Sequence, residues 1–312
     1  MKLSFVIPCY GSEHTIKDVV EEIINKVKED KKYDYEIILV NDKSYDNVWE
    51  VIKKLTTKNK KIKAINFAKN MNKPGAVMAG LRFTEGDYII ILDDDMQCPI
   101  NELWTIINPL NEGHDIAVAK YKEKKQSKFK NFGSAVNKKM AEIIIDKPKD
   151  LYFNNFVAIK KYVVKEMIKY NNPYPYLEGL MLRTTNDIVN VLVEERERTV
   201  GKSNFTFKKM LSLWFNGFTS FSVKPLRIST YLGFFIAIIG FIYGIYVIFN
   251  KILNPSIIIG YSSLMASILF IGGVILIMLG LIGEYVGRIY ISLNASPQYV
   301  IKETINLEDK ID

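Results

Sequence analysis

The stretch Asp87-Tyr88-Ile89-Ile90-Ile91-Leu92-Asp93-Asp94-Asp95-Met96-Gln97-Cys98-Pro99 sets a nearly continuous apolar run directly against three carboxylates. A run of this kind fits a strand covered on both faces, and the acidic residues mark its carboxyl end. Asp93 and Asp95 are two apart, so on an extended strand end they point the same way. Two convergent carboxylates repel each other unless a cation lies between them. Mg2+ or Mn2+ takes one or two carboxylates together with substrate phosphates. The bland alternative is a solvated acidic turn. Against it stand two more apolar runs that end in polar clusters: Ser4 to Pro8 runs into Cys9-Tyr10-Gly11-Ser12-Glu13, and Glu36 to Val40 runs into Asn41-Asp42-Lys43-Ser44.

Between these runs the period changes from strand to helix. Ile16 to Lys28 places Val19, Val20, Ile23, Ile24 and Val27 on one side. Val48 to Leu55 reads as a second helix, residues 63–68 as a third strand and Gly75 to Phe83 as a third helix. Strand–helix–strand repetition predicts an α/β fold with a mostly parallel, Rossmann-like sheet and right-handed crossovers. Ligands in such sheets sit beyond the carboxyl ends of the strands, where the three polar clusters fall.

Charge divides the rest of the chain. Lys plus Arg is 42 and Asp plus Glu is 34 in 312 residues, a formal net charge of +8. From Ile228 to Gly283 the only charged residue is Lys251, where the 24% average would give about 13. Ile228 to Asn250 and about Leu264 to Gly283 are each long enough as helices to cross a hydrocarbon core of about 30 Å. Lys224 and Arg227 precede the first run and Arg288 follows the second, so both ends of the hairpin are expected on the cytoplasmic side. Phe205 to Val223, with Trp214 and Lys208-Lys209, suits a helix lying in the interface or the last amphipathic helix of the soluble body. The expected organisation is a catalytic domain over 1–204, an amphipathic juxtamembrane segment over 205–227, a two-helix transmembrane hairpin over 228–288 and a cytoplasmic tail over 289–312. Met1 to Pro8 is too short an apolar run for a signal peptide. Cys9 and Cys98 are expected as reduced thiols. The basic excess is explained by the membrane surface and does not call for nucleic acid. The two histidines, His14 and His114, have no spacing for zinc, and Gly201-Lys202-Ser203 lacks the upstream glycine and strand of a P-loop.

Taken in order, VIPCYGSE, VNDKSYD, KNMNKPGAVMAGL, GDYIIILDDDMQCP, RERTVGKSNF, SFSVKPLRI and GEYVGRIY resemble the family-two glycosyltransferases that act on polyprenyl phosphate, similar to dolichol-phosphate mannose synthase and the bacterial undecaprenyl-phosphate sugar transferases. The resemblance covers about Leu3 to Lys302. It implies a GT-A fold, a nucleotide-sugar donor, a polyprenyl-phosphate acceptor, Mg2+ or Mn2+ as cofactor, and inverting transfer of one sugar at the cytoplasmic face of the bilayer. Pro8, Tyr10 and Glu13 would line the nucleotide pocket and Asp42 would hydrogen-bond the base. Asp93 and Asp95 would sit near the diphosphate and serve as metal ligands, Asp95 the likelier of the two, with Gln97 closing the motif. Arg198, Gly201 and Ser203 match the segment that closes over the donor and approaches the lipid phosphate, and Lys202 between them is expected on the donor as well.

Four positions depart from the family pattern. Gly11-Ser12 replaces Asn-Glu, and Asp94 replaces Ala in the acidic motif, where it adds a contact at the metal or is merely exposed. Gly201-Lys202-Ser203-Asn204-Phe205 replaces G-E-S-K-Y, which shifts the basic residue. In Phe153-Asn154-Asn155-Phe156 an Asn stands where the family often has a proposed Asp base. A phosphate acceptor is already anionic and needs positioning more than deprotonation. Glu178, in Tyr176-Leu177-Glu178-Gly179, is the alternative base, against a helix-cap role. Two other functions stay open on sequence: transfer to a lipid-linked saccharide, and a silent membrane scaffold that binds nucleotide-sugar. The sugar, the base and the number of subunits in any homo-oligomer are not legible.

Overall fold

The computed structural model describes residues 1–121, 147–194, 196, 224–254, 260–294 and 296–307. These divide into two units, 1–210 with 295–312, and 211–294.

The first unit is built on an eight-stranded sheet. In chain order its elements are β1 (Lys2–Cys9), α1 (Ile16–Lys28), β2 (Asp34–Asn41), α2 (Val48–Lys58), β3 (Ile62–Phe67), α3 (Asn72–Arg82) and β4 (Tyr88–Ile91). A single 3-10 turn (Ile100–Glu102) leads into α4 (Leu103–Asn111), then β5 (Ile116–Tyr121), β6 (Val157–Lys160), α5 (Lys161–Met167), α6 (Leu177–Thr184) and β7 (Ile188–Val193). The last strand, β8 (Ile301–Ile305), comes after the second unit. The strand order is β7-β5-β6-β4-β1-β2-β3-β8. Strands β3, β2, β1 and β4 run parallel, as do β5 and β7, while β6 and β8 are antiparallel to their neighbours. The expected α/β, mostly parallel GT-A sheet is therefore present.

The apolar runs form the centre of this sheet for a simple reason. Phe5, Val6, Ile7, Ile37 to Val40 and Ile89 to Ile91 are all 3% exposed or less, so both faces of these strands are covered. The amphipathic face of α1 packs Val19, Val20, Ile23 and Val27 against one side. On the other side α3 comes so close that a Cβ on Gly80 would lie 2.5 Å from Val6 Cγ1. Chain order reverses between β1 and β4, and that switch point brings the end of β1 beside the acidic run after β4.

The tail carries an element that the sequence pattern did not disclose. Within 289–312, Ile301–Ile305 forms the edge strand β8 on β3. Around it, Tyr299 stacks on Phe67 at 5.5 Å, and Tyr299, Ile301 and Leu307 cover Ile38, Val40, Ile65, Phe67, Ala76 and Ala79. Gln298 Nε2 donates to the Asn172 carbonyl at 3.0 Å, and Asn306 Nδ2 donates to the Thr56 and Ile62 carbonyls at 2.9 Å each. Both cysteines are free and buried.

The second unit holds α7 (Lys224–Leu253) and α8 (Tyr261–Leu293). At 30 and 33 residues each exceeds the length needed to cross a bilayer. Both run past the charge-free stretches, and α8 reaches five residues beyond the expected end of the hairpin at 288. Within the protein their apolar side chains stay uncovered, with Phe241 71% and Leu276 70% exposed, which suits lipid as the surrounding solvent. The expected juxtamembrane helix over 205–223 lies outside the described residues.

Candidate active site

The site is assembled from four loops at the carboxyl ends of β1, β2, β3 and β4, together with the segment before β6. After β1, Gly11 adopts φ +74°, and a Cβ there would sit 2.9 Å from Tyr45 Oη. Glycine suits this backbone, which L side chains rarely adopt, while the Tyr45 hydroxyl is the far end of an exposed side chain and can shift. The Gly11 amide donates to Ser44 Oγ at 2.8 Å, which joins the first two loops. Pro8 is buried in β1. Tyr10 is 49% exposed and meets Tyr45 edge-on at 5.5 Å, so two rings stand open to solvent at the strand ends.

Two residues expected on the ligand serve the loops as well. Glu13 Oε2 accepts the Asn47 amide at 2.9 Å at the start of α2, and its Oε1 lies 3.0 Å from His14 Nε2. Asp42 is 3% exposed, and its Oδ1 accepts the Met71 amide at 2.6 Å. Burial pushes the Asp42 carboxyl up to about 6, against the pull of the Met71 and Asn72 amides.

The acidic motif separates into three roles. Asp93 Oδ1 is ion-paired with Lys73 Nζ, and Asp93 Oδ2 accepts Asn155 Nδ2 at 2.7 Å. Asp94 turns away from that pair. Its Oδ2 accepts the Tyr10 amide at 2.9 Å and its carbonyl accepts Thr15 Oγ1 at 2.6 Å. Burial raises the Asp94 carboxyl to about 6, and the charges of Asp93 and Asp95 push the same way. Neither exposed nor aimed with its neighbours, Asp94 staples the acidic loop to the loop after β1. Asp95 Oδ1 accepts the Gln97 amide at 3.1 Å, in a turn where Met96 has φ +65°. Burial pushes the neighbouring Cys98 thiol up to about 12, which keeps it protonated.

Asn155 replaces the expected base but is not idle. A carboxylate there would face Asp93 with like charge, whereas the amide donates to it. Its loop is held by Asn190, whose side chain exchanges hydrogen bonds of 2.7 Å with the Tyr152 amide and carbonyl. Glu178, the second residue of α6, is half-buried. Burial holds its carboxyl above the usual range, and Lys73 is near enough to draw it back down. Glu178, Lys73 and Asp93 thus belong to one electrostatic neighbourhood. Arg198, Gly201, Lys202 and Ser203 lie outside the described residues.

Lys73 is the residue that the motif reading passed over. Its signal was a lysine in the first turn of a helix, the positive end of the helix dipole, where a cation is unfavourable without an anionic partner. The donor set suits a hard divalent cation: Asp93 and Asp95 offer carboxylate oxygens at a strand end. Among the described residues no group of three or more His, Cys, Asp or Glu is placed to hold a metal ion. A divalent cation bound there would take its remaining ligands from phosphates and water, the usual arrangement for Mg2+ and Mn2+.

The fold is that of a GT-A enzyme, and the class is glycosyltransferase. Comparison narrows the class. Residues 4–167 match the family model described as glycosyl transferase family 2, and residues 224–289 match the GtrB C-terminal hairpin. The chain belongs to glycosyl transferase family 2. It is 32% identical over 311 residues to the SfII prophage-derived bactoprenol glucosyl transferase of Shigella flexneri, covering 97% of this chain and 98% of that protein. The prophage bactoprenol glucosyl transferase homolog of Escherichia coli (strain K12) is likewise 32% identical over 311 residues, covering 97% and 99%. Among solved structures, glucosyl-3-phosphoglycerate synthase from Mycobacterium tuberculosis, in complex with Mn2+, UDP and phosphoglyceric acid, superposes with a TM-score of 0.50 at 16% identity, covering 68% of this chain and 74% of that one. That likeness concerns the fold.

Proposed function

We propose that this enzyme transfers one sugar, with inversion, from a nucleotide-sugar to polyprenyl phosphate at the cytoplasmic face of a membrane. The observation that carries the reading is one chain holding both a GT-A carboxylate site at the β1/β4 switch point and two exposed apolar helices long enough to span a bilayer. The relatives named for bactoprenol agree with it.

Chain connectivity supports the topology. Strands β1 to β7 precede the hairpin and β8 follows it, yet all belong to one sheet. A folded sheet cannot be divided by a bilayer, which supports an even number of crossings. Two crossings would keep both ends on one side, and Lys224, Arg227 and Arg288 favour the cytoplasmic side for it.

The chemistry asks little covalent work of the protein. The acceptor phosphate oxygen attacks the anomeric carbon while the nucleoside diphosphate departs from the opposite face. Asp93 and Asp95 would hold Mg2+ or Mn2+, which supplies charge compensation for the leaving diphosphate. Tyr10, Tyr45 and the loop around Asp42 would receive the nucleoside. Arg198, Gly201, Lys202 and Ser203 would close on the phosphates, Arg198 in bidentate fashion. Glu178 gives weight to a second reading. A carboxyl raised by burial is suited to take a proton, which a saccharide hydroxyl would require and a phosphate would not.

The test is to incubate purified protein in detergent with undecaprenyl phosphate, Mg2+ or Mn2+, and a panel of UDP-, GDP- and dTDP-sugars, and to read the glycolipid by mass spectrometry. One sugar mass on the lipid phosphate is the expected product. Nucleotide-sugar binding without that product, followed by transfer to a lipid-linked saccharide, would replace the first reading with the second.

A further inference from the structure

Lys73 and Asp93 present a conflict that the proposed chemistry must resolve. The Lys73 ammonium occupies Oδ1 of the carboxylate that would meet a divalent cation, and Asn155 occupies Oδ2. The lysine side chain is 37% exposed and the aspartate 22%, so solvent screens this pair only in part. An ammonium and a divalent cation on one carboxylate would stand a few ångströms apart, and at such range in a partly shielded site like charges repel strongly. One of them has to leave. Lys73 can change partner because its ammonium sits on a flexible four-carbon stem that solvent reaches. Its anchor is firm: α3 is buried from Gly75 to Leu81, and the Met71 amide at its start is fixed by Asp42. The helix end that carries Lys73 is itself suited to anions, so a diphosphate arriving there would offer the ammonium a second, stronger partner.

We infer that Lys73 is an internal counter-cation, a positioning residue that holds Asp93 closed to metal until a nucleoside diphosphate group arrives and draws the ammonium away. Metal and donor then bind as a couple, and metal alone binds poorly. Asn155 keeps the carboxylate in place while its other oxygen changes partner. This inference rests on the reading of Asp93 as a metal-facing carboxylate.

The test measures binding, not turnover. Free Mn2+ is followed by electron paramagnetic resonance while the full-length protein in detergent is titrated, alone and with UDP or GDP. Wild type is expected to bind Mn2+ weakly alone and at least tenfold more tightly with the nucleoside diphosphate, within the roughly 5- to 150-fold span of ordinary coupling between sites. Lys73→Met is expected to bind Mn2+ alone about tenfold more tightly than wild type, to bind the nucleoside diphosphate more weakly, and to lose most of the coupling. Lys73→Arg, which keeps the charge, should behave like wild type. A purely structural lysine gives the opposite sign, since a misplaced Asp93 binds metal less well. Unchanged or weaker Mn2+ binding in Lys73→Met, with wild type still coupled, overturns the inference alone. Lys73→Gln repeats the measurement if the methionine variant fails to fold. Absence of Mn2+ binding in every protein, with or without nucleotide, overturns the metal reading of Asp93 and the inference with it.

Discussion

Glu36 offers the sharpest test of what holds the catalytic sheet together at the end opposite the site. It lies in β2 at 1% exposure. Its Oε2 is ion-paired with Lys2 and Lys63, each at 2.8 Å, and its Oε1 accepts Ser4 Oγ at 2.5 Å and the Glu85 amide at 2.7 Å. Burial alone would raise this carboxyl; the hydrogen bonds from Lys2, Lys63 and Ser4 win and bring it down from 4.5 to about 2. A depressed carboxyl stabilises the fold at pH values above its unfolded pKa and loses that contribution as pH falls through the folded one. At 1.36 kcal/mol per unit the shift corresponds to about 3 kcal/mol at neutral pH, fading between about pH 4.5 and pH 2. Glu36→Gln keeps the volume and an acceptor for Ser4 and the Glu85 amide, but removes the buried one of the two carboxylates that Lys2 and Lys63 share, leaving them Glu85 alone. In a unit of this size about 3 kcal/mol lowers Tm by roughly 6–12 °C. Trp49 and Trp104, which pack against the core, report the transition by fluorescence in detergent. The gap between Glu36→Gln and wild type should be fully open at pH 7 and nearly closed at the acid end of the window. An equal gap at both pH values would refute the argument, because it would show that packing, not charge, makes Glu36 matter.

Three further expectations concern the site and the tail. Asp95→Ala and Arg198→Ala should each abolish glycolipid formation while the melting transition and membrane extraction stay as in wild type; full activity in Asp95→Ala would remove the metal role. Glu178→Gln separates base from bystander: if Glu178 takes a proton, kcat falls about 100-fold and the acid limb of the pH–rate profile, placed above the ordinary carboxylate range by its raised pKa, disappears. An unaltered profile assigns the acceptor an oxygen that is already ionised. A chain stopped after Asn294 loses β8 and the cover of Tyr299, Ile301 and Leu307 over Phe67 and Ile65. At about 1.5 kcal/mol or more per buried large apolar side chain, Tm should fall by several degrees and the bared β3 edge should promote aggregation. An unchanged transition would mean that β8 is dispensable.

The amino-acid sequence by itself determined the parallel core and the hairpin, because both follow from local pattern. A strand buried on two faces must be apolar throughout, so residues 36–40 announced β2 and the run before Asp93 announced β4. A helix facing lipid must exclude charge for about 20 residues, so α7 and α8 were legible without any partner. The motif also placed Asp93 and Asp95 at a strand end. What each carboxylate does was decided only by the tertiary structure. The two-residue alternation applies along a strand, and β4 ends at Ile91; beyond it the backbone turns, and Asp94 is drawn into the loop after β1. Asp93 takes its partners from 20 and 62 residues away, Lys73 and Asn155, a meeting that no local period encodes. The tail shows the same limit. Ile301-Lys302-Glu303-Thr304-Ile305 is too short and mixed to declare itself. It becomes a strand because β3 presents an unpaired edge and an apolar face, and burying both is worth the ordering of a dozen residues.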